Sequence, residues 1–204
     1  MDTIVSMLGQ LGQLLNDPSE GRYLAFDKLV RLNIAQQEYM SSASGHELSN
    51  LAVYNHFLQP NGEREHFLPL DFFRILGDRA IVGVQSGPMK LLDPEQFLNF
   101  PYQGCYLEPV VKISGKKLLI FGRAFDQGVN VNYYRYPRWM QVNGVAGGYK
   151  LSTATIVAGS AWIGPNVGPE LLPTSHQALI QRAYQSFLIS DSEVKPMEVQ
   201  ASAG

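Results

Sequence analysis

The sequence predicts an α+β fold in which N-terminal and C-terminal helices pack as a helical bundle, with an antiparallel β-rich region inserted between them. Amphipathic patterns with helical period occupy both ends of the 204-residue chain. Between them, short apolar stretches are separated by turns rich in Gly, Pro and Asp, as in a sheet. Ten Tyr, ten Phe, nineteen Gly and twelve Pro agree with many strands and turns.

These patterns divide the chain into five predicted segments. They are the N-terminal helices (1–60), the β-rich insert (61–140), a long Gly/Pro-rich loop (141–172), the C-terminal helix (173–190) and a disordered tail (191–204).

Composition narrows the class of protein. Charged residues make up 17% of the chain, below the usual quarter, and the net charge of −2 is unlike that of a dedicated nucleic-acid-binding protein. The one cysteine, Cys105, excludes an intramolecular disulfide and a multi-cysteine metal site. No apolar run is long enough to cross a bilayer, and the N-terminus has no Lys or Arg to open a signal peptide. We therefore expect a soluble protein, made in the cytoplasm, with no membrane partner.

The first predicted helix spans 3–15. Its apolar residues share one face, and its polar face is uncharged. The polar face consists of Thr3, Ser6, Gln10 and Gln13, flanked by Gly9 and Gly12. Glycines beside amides permit a close approach of another backbone.

A long helix is predicted over 17–43. Asp17 suits the N-cap, Pro18 suits the first helical position, and Glu20 has capping-box spacing. Its charged residues gather in one sector of the helical wheel, and most of the remaining circumference is apolar or amide. Such a helix is covered on more than one side, either as the centre of a bundle or by another subunit.

A third helix is predicted over 46–58. Ser44 and Glu47 have capping-box spacing, and Pro60-Asn61-Gly62 ends the segment.

The β-rich insert is predicted from alternation and turns. Val129, Val131 and Tyr133 point to one face of the last strand, and the residues between them point to the other. The predicted strands are 67–76, 79–85, 106–113, 117–123 and 129–136, with a turn at Ser114-Gly115 and a brief helix over 93–100.

The closing helix is predicted over 173–190. Its exposed side carries Gln177, Gln181 and Gln185, and Arg182 is its only charged residue. The Gly/Pro-rich segment before it, 143–173, is long for a structureless connection, and such loops are usually functional or interfacial.

The amide-rich faces predict a homo-oligomer. A solvated helix face has no reason to avoid charge, whereas a face covered by a neighbour does, because an unpaired buried ion is costly and an amide can find a hydrogen bond. The candidate subunit-interface residues are Gln10, Gln13, Gln36, Gln37, Gln177, Gln181 and Gln185.

The order of elements also carries a resemblance to a known family. A Leu-Pro-x-Asp-Phe segment (68–72) follows the N-terminal helices, and a strand followed by proline (131–137) closes the insert. A Leu-Pro opening at Leu172 and Pro173 leads into the closing helix. Over 14–189 the chain resembles the head-to-tail adaptor (connector) proteins of tailed bacteriophages.

The resemblance implies a mechanical role and no enzyme activity, cofactor or metal. An adaptor of this kind forms a homo-oligomeric ring of about a dozen copies between the portal protein and a downstream tail or nozzle protein. DNA passes through such a ring without sequence-specific binding, as a mildly acidic channel allows. The expected location is the neck or tail of the virion, after synthesis in the host cytoplasm.

Other functions remain open from the residues. His56, Glu63, Glu65 and His66 are the candidates for a metal site, although their spacing matches neither a paired-His helix motif nor a zinc finger. An enzyme would use Cys105 with His66 or His176, or a carboxylate pair such as Glu63 and Glu65.

A nucleic-acid platform is a third alternative, on Arg135, Arg138 and Lys150 among aromatic residues. The Gly144–Gly148 segment is a weak match to a phosphate-binding loop. Another neck, tail-completion or adhesion protein of a virion would also suit a chain rich in Tyr, Gly and Asn.

Overall fold

The computed structural model describes residues 4–61, 65–77, 79–84, 87–93, 109–121, 128–145 and 165–198, with side chains as far as Asp191. The chain divides into two compact units. The helical unit comprises Met1–Asn50 and Pro137–Gly204, and the sheet unit comprises Leu51–Tyr136.

The helical unit is built from three helices within the described residues. They are α1 (Ile4–Leu14), α2 (Ala25–Ser42) and α3 (His176–Glu198), the last preceded by a 3₁₀ turn at Pro173–Ser175. Each helix contacts the other two, and apolar residues from all three are buried together. The buried residues include Met7, Leu11, Leu29, Leu32, Met40, Leu179, Ile180 and Ala183. The helix predicted over 3–15 is confirmed by α1.

The second helix begins at Ala25, so the predicted start at Asp17 is wrong. Asn16 and Glu20 have left-handed backbone angles, with φ of 53° and 57°, which interrupt a right-handed helix. The Asp17 carboxylate instead accepts hydrogen bonds from the backbone N–H groups of Arg22 and Tyr23, at 3.1 and 2.9 Å. Asp17 therefore organises a tight loop before α2 and does not cap the helix.

The helix predicted over 46–58 is also wrong. Glu47 accepts from the backbone N–H of Ser44 at 2.8 Å, as capping-box spacing predicts, but these contacts hold only a turn. A 3₁₀ turn at Ser49–Leu51 leads directly into strand β1 (Ala52–Leu58). The aromatic and β-branched residues of this segment pair with a strand far along the chain, and that pairing overrides the local helix signal.

The sheet unit contains two sheets within the described residues. Its strands are β1 (Ala52–Leu58), β2 (Glu65–Phe67), β3 (Phe72–Ile75), β4 (Ile81–Gly83), β5 (Gly87–Pro88), β6 (Lys90–Leu91), β7 (Val110–Ser114), β8 (Lys117–Phe121) and β9 (Val129–Arg135). In the first sheet β9 is central, with β1 on one side and β3 and β4 on the other, and β5 pairs with β4. The second sheet has the order β2–β8–β7–β6.

Two features of the sheets follow from the residue pattern. Val129, Val131 and Tyr133 are buried while Asn130 and Asn132 between them are half-buried, so the predicted alternation of β9 is confirmed. The predicted turn at Ser114-Gly115 joins β7 to β8, and Gly115 adopts the φ of 59° that such a turn requires. Both sheets contribute to one apolar core, in which Val131 and Leu118 are fully buried.

The predicted fold requires correction, although the chain is α+β. The β-rich region is not the antiparallel insert that was predicted, because β6 pairs with β7 in parallel. It also begins at Ala52, within a segment assigned to an N-terminal helix, so the described helices lie near the N-terminus, at Ala25–Ser42 and at the C-terminus.

Several predictions fall wholly or partly outside the described residues. These are the brief helix over 93–100, parts of the strands predicted over 79–85, 106–113 and 117–123, most of the long loop (146–164) and the last residues of the tail (199–204). The closing helix, α3, continues to Glu198, past the predicted end at Ser190, so 191–198 of the predicted disordered tail is helical.

Candidate subunit-interface surface

The exposed face of α1 carries no charge. It consists of Val5, Ser6, Gly9, Gln13 and Leu14, and we refer to it as the α1 surface. Val5 is 52% exposed and Leu14 is 40% exposed, so the α1 surface mixes apolar and polar side chains. Gln10 lies half-buried at its edge and donates to the Ser6 hydroxyl at 3.3 Å. Of the predicted interface residues on α1, Gln13 is therefore exposed. Gln10 is half-buried and already makes a hydrogen bond to Ser6.

The two glycines of α1 have different surroundings. A Cβ on Gly12 would lie 3.3 Å from the Asp17 carbonyl oxygen and 3.4 Å from Lys28 Nζ, so the close packing within the unit favours a glycine there. A Cβ on Gly9 would meet no described atom within 4 Å. Glycine costs about 1 kcal/mol relative to alanine inside a helix, and the described intrachain contacts give no reason for that cost at Gly9.

The exposed face of α3 is also uncharged as far as Asp191. It consists of Gln177, Gln181, Gln185, Leu188 and Ile189, and we refer to it as the α3 surface. The three glutamines are spaced by four residues and therefore lie along one side of the helix. Arg182 does not interrupt this side, because its Nη2 donates to Ser42 Oγ at 3.1 Å and its guanidinium lies 5.2 Å from the Tyr39 ring centroid.

Gln36 is not part of any exposed surface. It is 2% exposed, and its Nε2 donates to the Arg138 carbonyl at 3.2 Å. Its neighbour Gln37 is half-buried. The prediction that Gln36 contacts another subunit is corrected: Gln36 ties α2 to the segment beginning at Pro137 within its own unit.

Asn33 makes two hydrogen bonds to the same segment. Its Nδ2 donates to the Met140 carbonyl at 3.1 Å, and its Oδ1 accepts from the Met140 N–H at 2.8 Å. Both residues are almost fully buried, so the amide supplies the hydrogen bonds that a strand neighbour would otherwise give. An asparagine between apolar residues in a helix was the signal for this contact, and the sequence prediction did not use it.

A groove of about 530 Å³ lies between α2 and the C-terminal part of α3. It is lined by Tyr23, Phe26, Asp27, Val30, Arg31, Ile34, Phe187 and Ser190. We refer to it as the α2–α3 groove. Phe26, Val30 and Ile34 recur every four residues and form a half-buried apolar row along α2.

The polar groups of the α2–α3 groove are held by contacts within the unit. Arg31 Nη2 donates to Ser190 Oγ at 2.8 Å, and the Arg31 guanidinium lies 5.4 Å from the Phe187 ring centroid. Asp27 accepts from the Leu24 N–H at 3.2 Å, at the start of α2. These contacts fix the direction of both side chains, so the groove has a defined shape.

One end of the groove is closed by an ionic and aromatic cluster. The Tyr23 hydroxyl donates to the Asp191 carboxylate at 2.6–2.7 Å, and the Tyr23 ring lies 4.6 Å from the Phe187 ring. Arg22 pairs with the same carboxylate at 3.0 Å. Burial, reinforced by the hydrogen bond to Asp191, raises the pKa of the Tyr23 hydroxyl above its usual 10. The hydroxyl therefore stays protonated at neutral pH and can donate its hydrogen bond to Asp191.

A buried ion pair joins α2 to the loop that follows α1. Lys28 Nζ lies 3.3 Å from the Asp17 carboxylate and donates to the Asp17 carbonyl at 2.9 Å, and both side chains are almost fully buried. The hydrogen bond from the Tyr23 N–H is the largest influence on the Asp17 pKa, followed among the favourable contacts by the Arg22 N–H and Lys28. Together they outweigh the opposing effect of burial and lower the pKa to about 2.

A second carboxylate is held in a similar way. Glu47 accepts hydrogen bonds from the Tyr39 hydroxyl and from the Ser44 backbone and side chain. The Tyr39 contact contributes most, and the pKa of Glu47 falls to about 2. Asp17 and Glu47 are therefore structural anions of the helical unit.

Hydrogen bonds join the two ends of the long loop. Gln141 and Val167 exchange backbone hydrogen bonds at 3.0 and 2.9 Å, and Asn143 N–H donates to Asn166 Oδ1 at 2.9 Å. Arg138 donates to the Glu170 carboxylate through its backbone N–H and its Nε, at 2.7 and 2.8 Å. These contacts hold the two ends of the loop side by side. The residues between 145 and 165 lie outside the described part of the chain.

The candidate metal-site residues are not gathered into one cluster. His56 is exposed on β1, whereas His66 is 1% exposed on β2. Glu65 pairs with Lys117 at 2.7 Å, and Glu63 lies outside the described residues. In the ranges that the structure describes, no group of three or more His, Cys, Asp or Glu is placed to hold a metal ion.

The candidate nucleic-acid and catalytic residues have other contacts or lie outside the described residues. Arg138 is paired with Glu170 at 2.8 Å, and Arg135 donates to the Tyr136 carbonyl at 3.2 Å. His176 is buried, with its Nε2 3.3 Å from the Leu171 carbonyl. Lys150 and Cys105 are not among the described residues.

No protein-family model matches the chain, and no curated protein matches it significantly. Among the described helices, none is both long and apolar enough to cross a membrane.

Proposed function

We propose that the chain is a structural protein that assembles with copies of itself through uncharged helical faces. The observation that supports this is the absence of charge from the α1 surface and the α3 surface, which together expose Val5, Leu14, Leu188 and Ile189 beside glutamines. In water such a face gains nothing by excluding Lys and Glu. Against another subunit it avoids the cost of burying an unpaired ion.

The proposed assembly is a head-to-tail adaptor ring of a tailed bacteriophage. The order of elements around Leu-Pro-Leu-Asp-Phe (68–72) and the Leu-Pro opening of the closing helix support this identification. In the proposed ring, the portal protein lies on one side and a downstream tail or nozzle protein on the other. The site of action is the neck of the virion.

The charge of the chain suits a ring around a DNA channel. With a net charge of −2, the protein offers little neutralisation of phosphate. Because affinity for DNA depends on the number of phosphates neutralised by Lys and Arg, such a channel lets DNA pass without retaining it. Arg138, one of the basic residues considered for a nucleic-acid platform, is neutralised by Glu170.

Copy number in the virion tests this function. Quantitative mass spectrometry would be carried out on purified particles of the virus that encodes the chain, with the portal protein as the internal reference. We expect the chain in the same number of copies as the portal protein. Its absence from the particle would contradict the adaptor function, and a different copy number would point to another layer of the neck or tail.

A further inference from the structure

We infer that the α2–α3 groove of one copy receives the α1 surface of a second copy. This inference rests on the proposed function, because it names the two surfaces that would join neighbouring subunits. A contact between two different surfaces is heterologous, and repetition of such a contact closes into a ring when the rotation between subunits allows it.

The shape of the groove suits a helix. Phe26, Val30 and Ile34 form an apolar row that follows α2, and Phe187 adds a second wall from α3. A groove between two helices receives a third helix by interdigitation of side-chain rows, with interaxial distances of about 8–10 Å that depend on residue size at the contact. The row from Phe26 to Ile34 spans eight residues of α2, about 12 Å at 1.5 Å per residue, so it can contact about two turns of an incoming helix.

The α1 surface has the complementary shape. Val5, Gly9 and Gln13 are spaced by four residues and form one row on the exposed side of α1. Gly9 lies at the centre of this row, with no described atom near the position of a Cβ. A glycine at the centre of the row lets a neighbouring backbone approach closely, which accounts for a residue that the described intrachain packing does not explain.

The polar groups of the two surfaces are also compatible. The groove carries one anion and one cation, Asp27 and Arg31, and contacts within the unit hold both side chains. A charged occupant would bury a further ion without a dedicated partner. The amide of Gln13 can instead donate to a carboxylate and accept from a guanidinium while carrying no charge.

The α3 surface fits the groove less well than the α1 surface does. Its row of Gln177, Gln181 and Gln185 has long side chains at every position, and no glycine allows a close approach. The row also belongs to the helix that contributes Phe187 and Ser190 to the groove. We assign the α3 surface to a different contact of the assembly.

Sedimentation velocity of the full-length chain over a range of concentrations tests the inferred contact. Gly9→Glu places a charge at the centre of the α1 surface, where the described structure has open space, so the folded subunit tolerates it. Leu70→Glu is the matched control, because Leu70 is 92% exposed and belongs to the sheet unit. We expect Gly9→Glu to weaken self-association more than about tenfold and Leu70→Glu to leave it unchanged.

The possible outcomes separate the contact from the function. Self-association of Gly9→Glu at the wild-type level would overturn the contact while leaving the adaptor function to the copy-number measurement. A wild-type chain that stays monomeric at every concentration would also overturn the contact as a self-association surface. Absence of the chain from particles would overturn the adaptor function without deciding whether the contact forms.

A cysteine pair identifies both surfaces directly. Gly9→Cys and Val30→Cys would be combined in a Cys105→Ser background, and the protein would be oxidised under associating conditions. We expect a ladder of covalent multimers from the pair and none from either single cysteine, since each link joins position 9 of one copy to position 30 of the next. Multimers that remain unlinked would overturn the inference and indicate a different occupant of the groove.

Discussion

The helical unit and the sheet unit differ in the chemistry of their exposed faces. The α1 and α3 surfaces carry no charge, whereas the strands expose ion pairs and cation–aromatic contacts. On β8, Lys117 pairs with Glu65 at 2.7 Å and lies 5.6 Å from the Phe67 ring centroid. On β3, the Arg74 guanidinium lies 5.4 Å from the Tyr134 ring centroid. Low charge is therefore a property of particular helix faces, which supports a specific role for those faces.

The interiors of the two units differ in the opposite sense. The helical unit buries the Asp17–Lys28 ion pair and the Asn33 amide. The described part of the sheet unit buries fewer polar side chains: the Tyr133 hydroxyl, which donates to the Asp71 carboxylate at 3.1 Å, and the His66 ring. The helical unit uses buried polar groups to fix its loops, and the strands of the sheet unit satisfy their backbones by pairing.

The largest effect is expected from Asn33→Ala. Loss of the amide leaves the N–H and the carbonyl of Met140 without their partner in a buried site, at a cost of about 1–3 kcal/mol for each group. The free energy of unfolding from urea denaturation measures this loss.

Asn132→Ala in the sheet unit provides the comparison for Asn33→Ala. Asn132 Oδ1 accepts from the Asn55 N–H at 2.7 Å at an exposed position, where water can replace it. The expected loss is about 0.5–1.5 kcal/mol. If both variants lost the same free energy of unfolding, the buried hydrogen bonds of the helical unit would not differ in strength from the exposed ones of the sheet unit, and the comparison would fail.

A smaller effect, with a defined pH window, is expected from the structural carboxylates. The pKa of Asp17 falls from 3.8 to about 2 on folding, and that of Glu47 falls from 4.5 to about 2. Because these pKa values are lowered in the folded state, the stability that they contribute is present at neutral pH. It is lost as the pH falls from about 4.5 to about 2.

Urea denaturation between pH 7 and pH 2 tests this window. The Asp17→Asn, Glu47→Gln double variant should be less stable than the wild type at neutral pH and should lose less stability in acid. A double variant with the wild-type pH dependence would contradict the assignment.

In the sheet unit, a buried tyrosine makes the free energy of unfolding depend on alkaline pH. Burial, with the neighbouring Asp71, raises the pKa of the Tyr133 hydroxyl from 10 to about 12. Its contribution to stability is therefore complete below pH 10 and is lost as the pH rises through about 12. Tyr133→Phe should reduce this alkaline loss and leave the acid loss unchanged.

Local patterns predicted the elements whose residue pattern is complete within their own segment. The amphipathic face of α1 and the alternation of β9 are repeated over several residues, so each is read from its own segment. The uncharged faces around Gln13 and Gln181 were visible for the same reason.

Contacts that a local spacing pattern does not reveal account for the predictions that were wrong. Asp17 and Pro18 have the pattern of a helix start, but the buried contact with Lys28 and the hydrogen bonds from Arg22 and Tyr23 hold a loop instead. The segment after Glu47 has a helix start as well, but it pairs with β9 more than seventy residues away. Neither partner can be recognised from spacing alone.

The candidate surface was predictable only in part. The glutamines of α1 and α3 indicated two candidate interface surfaces, but the same reasoning also selected Gln36. Composition does not distinguish an amide that pairs with a buried carbonyl from one that faces solvent. The α2–α3 groove depends on the position of α3 beside Phe26, Val30 and Ile34, which only the packed structure supplies.

The accessibility of the uncharged faces in the assembled protein tests the central claim most directly. Single cysteines at Gln13 and Gln181, in a Cys105→Ser background, would be labelled with a thiol reagent in the monomer and in the assembly. A cysteine at Leu70 serves as the exposed reference in the sheet unit. We predict that labelling at positions 13 and 181 is at least several-fold slower in the assembly, while labelling at position 70 keeps its rate. Labelling at 13 and 181 that is as fast in the assembly as in the monomer would contradict the account.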